Sequence, residues 1–76
     1  QYTEVRAEDF LPGDIILYHG AGGDIEHSGV VLGLPRESTL RIPVVLSKWG
    51  RGGEYVHLAN RCPYDFSAAK YYRVNT

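Results

Sequence analysis

The fold is decided by residues 12–34, which read PGDIILYHGAGGDIEHSGVVLGL. A proline–glycine turn signal opens this stretch and leads into an apolar run at 14–19. A glycine-rich segment at 20–24 then separates that run from a second one at 27–34. Val, Ile and Tyr, which favour strands, dominate both runs. Two short runs of this kind joined by a glycine-rich turn predict a β-hairpin.

Three further runs repeat the pattern, at 43–49, 54–59 and 69–74. No window shows the 3.6-residue apolar period of a helix, and residues 7–11 have room for one helical turn before a proline. We therefore predict a mostly β fold, a small five-stranded antiparallel meander curled into a half-barrel. It should contain at most one short helical turn near residues 7–11.

Composition and length set the class of protein. The chain has 76 residues, of which 43% are apolar and 22% charged, which is typical of one small globular domain and not of a disordered segment. No apolar run approaches the ~20 residues of a membrane helix and no signal peptide is visible, so we predict no membrane partner and leave the compartment open. The sequence starts with Gln1 and reaches its first strong strand quickly. We expect residues 1–76 to be a single β domain that is a fragment, a processed product or one half of a larger domain.

Charge is unevenly distributed along the chain, although the net charge is only −1. Residues 1–26 contain six acids and one base, whereas residues 27–76 contain seven bases and three acids. Scattered bases in a chain of nearly zero net charge argue against a nucleic-acid partner. The bases weighed for such a patch are Arg36, Arg41, Lys48, Arg51 and Arg61.

Three histidines lie in or beside predicted strands: His19, His27 and His57. A histidine at the mouth of a strand can be held rigidly and act as a general base, although a half-buried structural histidine is the more common case. The neighbouring acids Asp24 and Glu26 suggest a metal site, but the intervening glycines fix no ligand geometry and turn acids are usually solvated. We predict neither a metal nor a cofactor.

The single cysteine, Cys62, excludes an internal disulfide. Together with His57 it offers a Cys/His pair, so a weaker hypothesis is that Cys62 itself is the nucleophile of a self-contained enzyme. Pro63 biases Cys62 toward an extended backbone and away from a helix start, the usual setting of a nucleophilic thiol. We therefore predict a small, half-buried side chain at this position.

Several short motifs occur in a familiar order. Pro12-Gly13-Asp14 precedes a hydrophobic strand, His27-Ser28-Gly29-Val30-Val31 follows a hairpin, Ser47-Lys48-Trp49-Gly50 ends the next strand, and Tyr71-Tyr72-Arg73 ends the pattern. Over about residues 11–74 this order resembles the catalytic-histidine half of the NlpC/CHAP superfamily of papain-like cysteine amidases and peptidases. The glycines of the second run, Gly29 and Gly33, would provide the bend that curls such a sheet.

The resemblance implies a role for each matching residue. His27 corresponds to the general base, and Ser47 or His57 would orient its ring, for which a cationic Lys48 is a poor choice. Asp14 would hold the turn into the first strand through backbone amides. His27 and Ser47 or Lys48 should then lie on adjacent strands with their side chains on one face. The nucleophilic cysteine of the family lies upstream, at the start of a helix that these residues do not contain.

The sequence therefore predicts the β-sheet lobe of an NlpC/CHAP-like thiol hydrolase that acts on amide bonds of peptidoglycan or peptides. Its partner would be a cysteine-bearing helical segment or a second chain that packs on the sheet, and the 76 residues alone should be inactive. The alternative is a non-catalytic β-barrel binding module that kept the fold and lost the chemistry. Its groove would then be lined by exposed aromatic residues, for which the candidates are Tyr18, Trp49, Tyr55 and Tyr64.

Overall fold

Six antiparallel strands form a single sheet in the computed structural model, which describes residues 1–35, 41–48 and 52–75. The mostly β prediction is confirmed, and the five predicted runs correspond to the last five strands within two residues at each end. Trp49, at the end of the third run, lies outside the described residues. The strands are β1 (Tyr2–Val5), β2 (Ile15–His19), β3 (Ile25–Gly33), β4 (Val44–Lys48), β5 (Glu54–Leu58) and β6 (Lys70–Val74).

The order of strands across the sheet is β1-β6-β2-β3-β4-β5. Strands β2 to β5 form the expected meander, but β6 does not continue it. Instead β6 returns to the other side of the sheet and pairs with both β2 and β1. The simple five-stranded meander is therefore wrong for β6, and β1 is an additional strand. The sheet does not close into a barrel among the described strands, since β1 and β5 remain its two edges.

Helical structure in the described ranges is limited to one 3-10 turn, at Phe66–Ala68, where Asp65 Oδ1 accepts a hydrogen bond from Ser67 N at 2.9 Å. Residues 7–11, which offered the best local match to a helical turn, are not helical. They begin inside a tight turn over residues 6–9, which is closed by Asp9 N donating to Arg6 O at 2.9 Å. No helix in the described part of the chain is both long enough and apolar enough to cross a membrane.

The hydrophobic core covers one face of the sheet. Alternate strand residues point to this face because side chains of a strand alternate with a period of two. Phe10, which precedes the first proline–glycine turn, stacks on Tyr71 of β6 with ring centroids 5.1 Å apart. Arg41 lies over the Phe10 ring and donates to its carbonyl oxygen at 2.7 Å, so this base has a structural contact. The core consists of Phe10, Ile16, Tyr18, Val31, Val45, Ala59 and Tyr71.

The opposite face of the sheet is also apolar, but much of it is open to solvent. Tyr72, Ile15, Val30, Leu46 and Val56 follow one another in register across five strands. Val56 is 63% exposed at the β5 edge and Val30 is 40% exposed in the middle of the sheet. An apolar row of this length on a solvent-facing sheet surface is typical of a surface that another element covers.

Asp14 ties the entry of β2 to the far end of β6. Its carboxylate accepts a hydrogen bond from Leu11 N at 2.8 Å, as expected for a residue that holds the turn. It also accepts two hydrogen bonds from Arg73, from Nε and Nη2, each at 2.9 Å. These hydrogen bonds hold the pKa of Asp14 below its usual value although burial acts in the opposite direction. Asp14 therefore links two strands that are distant in the sequence.

Candidate functional site

The three candidate catalytic side chains lie on the core face of three adjacent strands. His27 is half-buried on β3, Ser47 is buried on β4 opposite Gly29, and His57 is half-buried on β5 opposite Val45. This is the adjacent-strand, same-face arrangement that the sequence led us to expect for His27 and Ser47. Lys48 follows Ser47 by one residue and therefore points to the opposite face.

A hydrogen bond joins Ser47 to His57. The distance between Ser47 Oγ and His57 Nε2 is 2.7 Å, and His57 Nδ1 lies 2.7 Å from the carbonyl oxygen of Leu58. A carbonyl oxygen only accepts, so in the neutral ring Nδ1 carries the proton and Nε2 accepts the proton of the Ser47 hydroxyl. The two contacts fix both the tautomer and the plane of His57. Ser47 therefore orients the ring of His57.

His27 packs against two tyrosine rings, which also contact each other. Its imidazole is parallel to the Tyr64 ring, with centroids 4.5 Å apart and an interplanar angle of 6°. The Tyr18 ring lies 5.7 Å away at 40°. Burial, and in second place the nearby charge of His57, lowers the pKa of His27. The ring is therefore neutral at neutral pH, and only a neutral ring accepts a proton as a general base.

Gly29 makes room for this group of side chains. A Cβ atom at this position would overlap Val45 Cγ1 and lie 2.9 Å from Ser47 Oγ, closer than real Cβ atoms approach other atoms. Because Gly29 directly faces Ser47 across the β3–β4 pair, any larger residue would displace the Ser47 hydroxyl. Gly33 has φ of +152° at a register irregularity of the β3–β4 pair, whereas Gly29 is required for close packing.

The segment that follows β5 crosses the core face and covers this group. Ala59 is its anchor: its carbonyl oxygen accepts a hydrogen bond from the buried Tyr18 hydroxyl at 2.7 Å, and Cys62 Sγ lies 3.6 Å from the same oxygen. Burial, followed by the adjacent Cys62 thiol, raises the pKa of Tyr18. Cys62 is half-buried, as predicted, and its nearest polar contacts in the described residues are with this carbonyl group and with Tyr18 and Tyr64.

The aromatic residues proposed for a binding groove are distributed differently from the expectation. Tyr18 is completely buried, so its assignment to an exposed groove is wrong; its alternation with the core residue Ile16 is the signal that identifies its position. Tyr64 is half-buried against His27. Tyr55 is 45% exposed and donates to the Gly52 carbonyl oxygen. Trp49 lies outside the described residues.

The residues weighed as metal ligands do not converge. Within the described ranges, no three His, Cys, Asp or Glu side chains are close enough together to hold a metal ion. His19 instead uses Nδ1 in the hairpin that follows β2, where it lies 3.1 Å from the carbonyl oxygen of Gly23.

The first prediction concerns Cys62 and the self-contained Cys/His reading. We expect Cys62 to react with iodoacetamide at pH 7 no faster than glutathione does, because its thiol faces a carbonyl oxygen in a half-buried turn. The rate should be no lower in the variants His27→Ala and His57→Ala than in the wild type. Mass spectrometry of the alkylated protein over time measures it. Fast alkylation that drops about tenfold or more in either variant would support catalysis by Cys62 itself.

Comparison with known proteins adds no relative: no protein-family model matches the chain, and no curated protein and no solved structure is significantly similar to it. The proposal that follows therefore rests on the side chains of the core face and their contacts.

Proposed function

We propose that this chain is the histidine-bearing β lobe of a thiol hydrolase of the NlpC/CHAP type, which cleaves amide bonds in peptidoglycan or peptides. The observation that supports it is the grouping of His27 with the hydrogen-bonded pair Ser47 and His57 on one face of three adjacent strands. His27 would act as the general base and general acid. The nucleophilic thiol would come from a segment or chain other than these residues.

The reaction uses the neutral ring of His27 in two proton transfers. The ring first takes the proton of the incoming thiol, and the thiolate then attacks the carbonyl carbon of the amide. The carbon–nitrogen bond breaks when the protonated ring donates its proton to the leaving amine. Water, deprotonated by the same ring, then attacks the thioester carbon. The carbon–sulfur bond breaks, the ring returns its proton to the departing thiolate, and the acid is released. The lowered pKa of His27 favours the neutral ring that begins this sequence.

His57 acts on His27 through its position and charge. Both of its ring nitrogens are engaged, one with Ser47 and one with Leu58, so its orientation is fixed before any substrate binds. A positive charge on His57 opposes one on His27, because like charges repel at short range. Ser47 would contribute indirectly, by fixing the position of the His57 ring.

The missing thiol would be carried by a cysteine-bearing helical segment, in the same polypeptide or in a second chain. An open apolar groove of about 750 Å³ lies on the uncovered face of the sheet, lined in part by Tyr2, Ile15, Leu17 and Tyr72. A segment that packs there would cover apolar surface that the sheet leaves exposed. To reach His27 it would have to pass around the sheet, because His27 lies on the opposite face.

The second prediction tests this function. Residues 1–76 are expressed together with the segment encoded directly upstream of Gln1, in which we expect a cysteine at the start of a helix. This longer protein should hydrolyse peptidoglycan or peptide amides, while residues 1–76 alone should not. The variant His27→Ala should lose about 10³-fold or more in kcat, as expected when a general base is removed. Release of free amino groups measures the rate.

The matched control is His19→Ala, which removes the histidine at the end of β2 and should leave kcat within about twofold of the wild type. Two outcomes contradict the proposal: no hydrolysis by a longer protein that does contain a cysteine at a helix start, or full hydrolysis by its His27→Ala variant.

A further inference from the structure

We propose that Tyr64 is a positioning residue for His27: its ring stacks on the imidazole, fixes the plane of that ring and shields one of its faces from water. Tyr64 is an addition to the group formed by the two histidines and Ser47. The inference rests on the proposed function, because the orientation of His27 matters for catalysis only if His27 is the general base. It is carried by the geometry of the segment that crosses the core face after β5.

The stack is close and nearly parallel. The ring centroids of Tyr64 and His27 are 4.5 Å apart and the planes differ by 6°. Tyr18 lies on the same group, 5.9 Å from Tyr64 at 43° and 5.7 Å from His27 at 40°. Rotation of the imidazole about its Cβ–Cγ bond would therefore break a parallel contact and push the ring edge against one of the tyrosines. An aromatic pair of this kind is worth roughly 0.5–1.5 kcal/mol beyond the area that it buries.

The position of Tyr64 is itself fixed from both sides along the chain. Before it, the Ala59 carbonyl oxygen accepts the hydrogen bond of the buried Tyr18 hydroxyl, which attaches the segment to β2. After it, Asp65 caps the 3-10 turn through the backbone and side chain of Ser67, at 2.9 and 2.6 Å. Because the segment is attached on both sides of Tyr64, the Tyr64 ring has a fixed position and can restrict the orientation of the His27 ring.

The stack also defines how a thiol and a substrate reach His27. Tyr64 covers one flat side of the imidazole, so the reacting groups cannot approach His27 from that side. Misplacement of a catalytic group by about 1 Å can cost on the order of 10²-fold in rate, so a fixed ring plane matters for catalysis.

The third prediction compares two substitutions of Tyr64 by NMR of histidine-labelled protein. Tyr64→Phe keeps the aromatic ring and should leave the ring proton shifts and the pKa of His27 unchanged. Tyr64→Leu removes the stack; the upfield ring-current shift of the His27 protons should disappear and the pKa of His27 should rise toward its ordinary value, because the imidazole becomes less buried. Tyr55→Leu, a change at an exposed tyrosine of β5, should have neither effect.

Nuclear Overhauser contacts between the rings of Tyr64 and His27 in the wild-type protein provide a second measurement that needs no variant. Their absence, or a folded Tyr64→Leu protein in which the His27 pKa and ring shifts equal those of the wild type, would overturn the inference. These measurements require no enzymatic activity. A stack that is present in a longer protein without hydrolase activity would therefore count against the proposed function, while the contact that orients His27 would still stand.

Discussion

Replacement of Gly29 by alanine should destabilise the sheet by about 3 kcal/mol, the upper part of the range for overpacked cores. The added Cβ would overlap Val45 Cγ1 and approach Ser47 Oγ to 2.9 Å and the Leu46 carbonyl oxygen to 3.1 Å. Val45 is completely buried and the carbonyl group belongs to the neighbouring strand, so neither can move without disturbing the β3–β4 pair. Urea unfolding followed by circular dichroism measures the change as a lower midpoint at an unchanged slope.

Gly22→Ala is the matched control for Gly29→Ala. Gly22 lies in the hairpin after β2, and no atom lies within 4 Å of the position that its Cβ would take. This change should alter the free energy of unfolding by no more than about 0.5 kcal/mol. If Gly29→Ala were as stable as Gly22→Ala, the close approach of β3 and β4 at Ser47 would be wrong, and with it the fixed geometry of the Ser47–His57 pair.

Asp14→Asn should also have a large effect, and one that depends on pH. The change removes the charge that accepts two hydrogen bonds from Arg73, and at pH 7 it should lower the free energy of unfolding by about 2–3 kcal/mol. Because the pKa of Asp14 is lowered in the folded state, its ionised form stabilises the protein above the ordinary pKa of about 4. That stabilisation is lost as the pH falls through the folded-state pKa. The difference between wild type and variant should therefore shrink below pH 4.

The control for Asp14→Asn is Glu8→Gln, which breaks the ion pair between Arg6 and Glu8 at the surface. Both side chains of that pair are largely exposed, so its loss should cost less than about 1 kcal/mol. Urea unfolding at pH 7 and at several values down to pH 3 compares the two variants. A constant difference between wild type and Asp14→Asn across this range would show that the charge of Asp14 does not stabilise the fold.

The local parts of the fold could be predicted from sequence, whereas the long-range pairing could not. Each run between turn signals became a strand because β-branched and aromatic residues and glycine turns act locally. Strand β1 was missed because its side chains are mostly exposed and give no apolar alternation. Its partner β6 is at the other end of the sequence, pairing Tyr2 with Val74. The Asp14–Arg73 contact was likewise invisible, since nothing near Asp14 indicates an arginine 59 residues away.

The candidate site shows the same division. Alternation within a strand places His27 on the same side as the core residue Val31, and the sequence alone is sufficient for that inference. The pairing of Ser47 with His57 depends on the register of β4 against β5. Alternation within each strand does not specify that register, because it depends on the geometry of the connection between the two strands. Tyr64 was named as an exposed aromatic residue, and only the course of its segment reveals the contact with His27.

The position of β6 between β1 and β2 has a consequence for how the chain folds. Hairpins between consecutive strands need only short loops to close, so β2 to β5 can pair early, whereas β6 must return across the whole meander before β1 has a partner. Until then β2, with the sequence IILYH, has an unpaired edge. An apolar strand with free backbone groups is a site for pairing with another chain. The native sheet covers this edge with β6, so the risk of such pairing is confined to chains in which β6 has not yet docked beside β2.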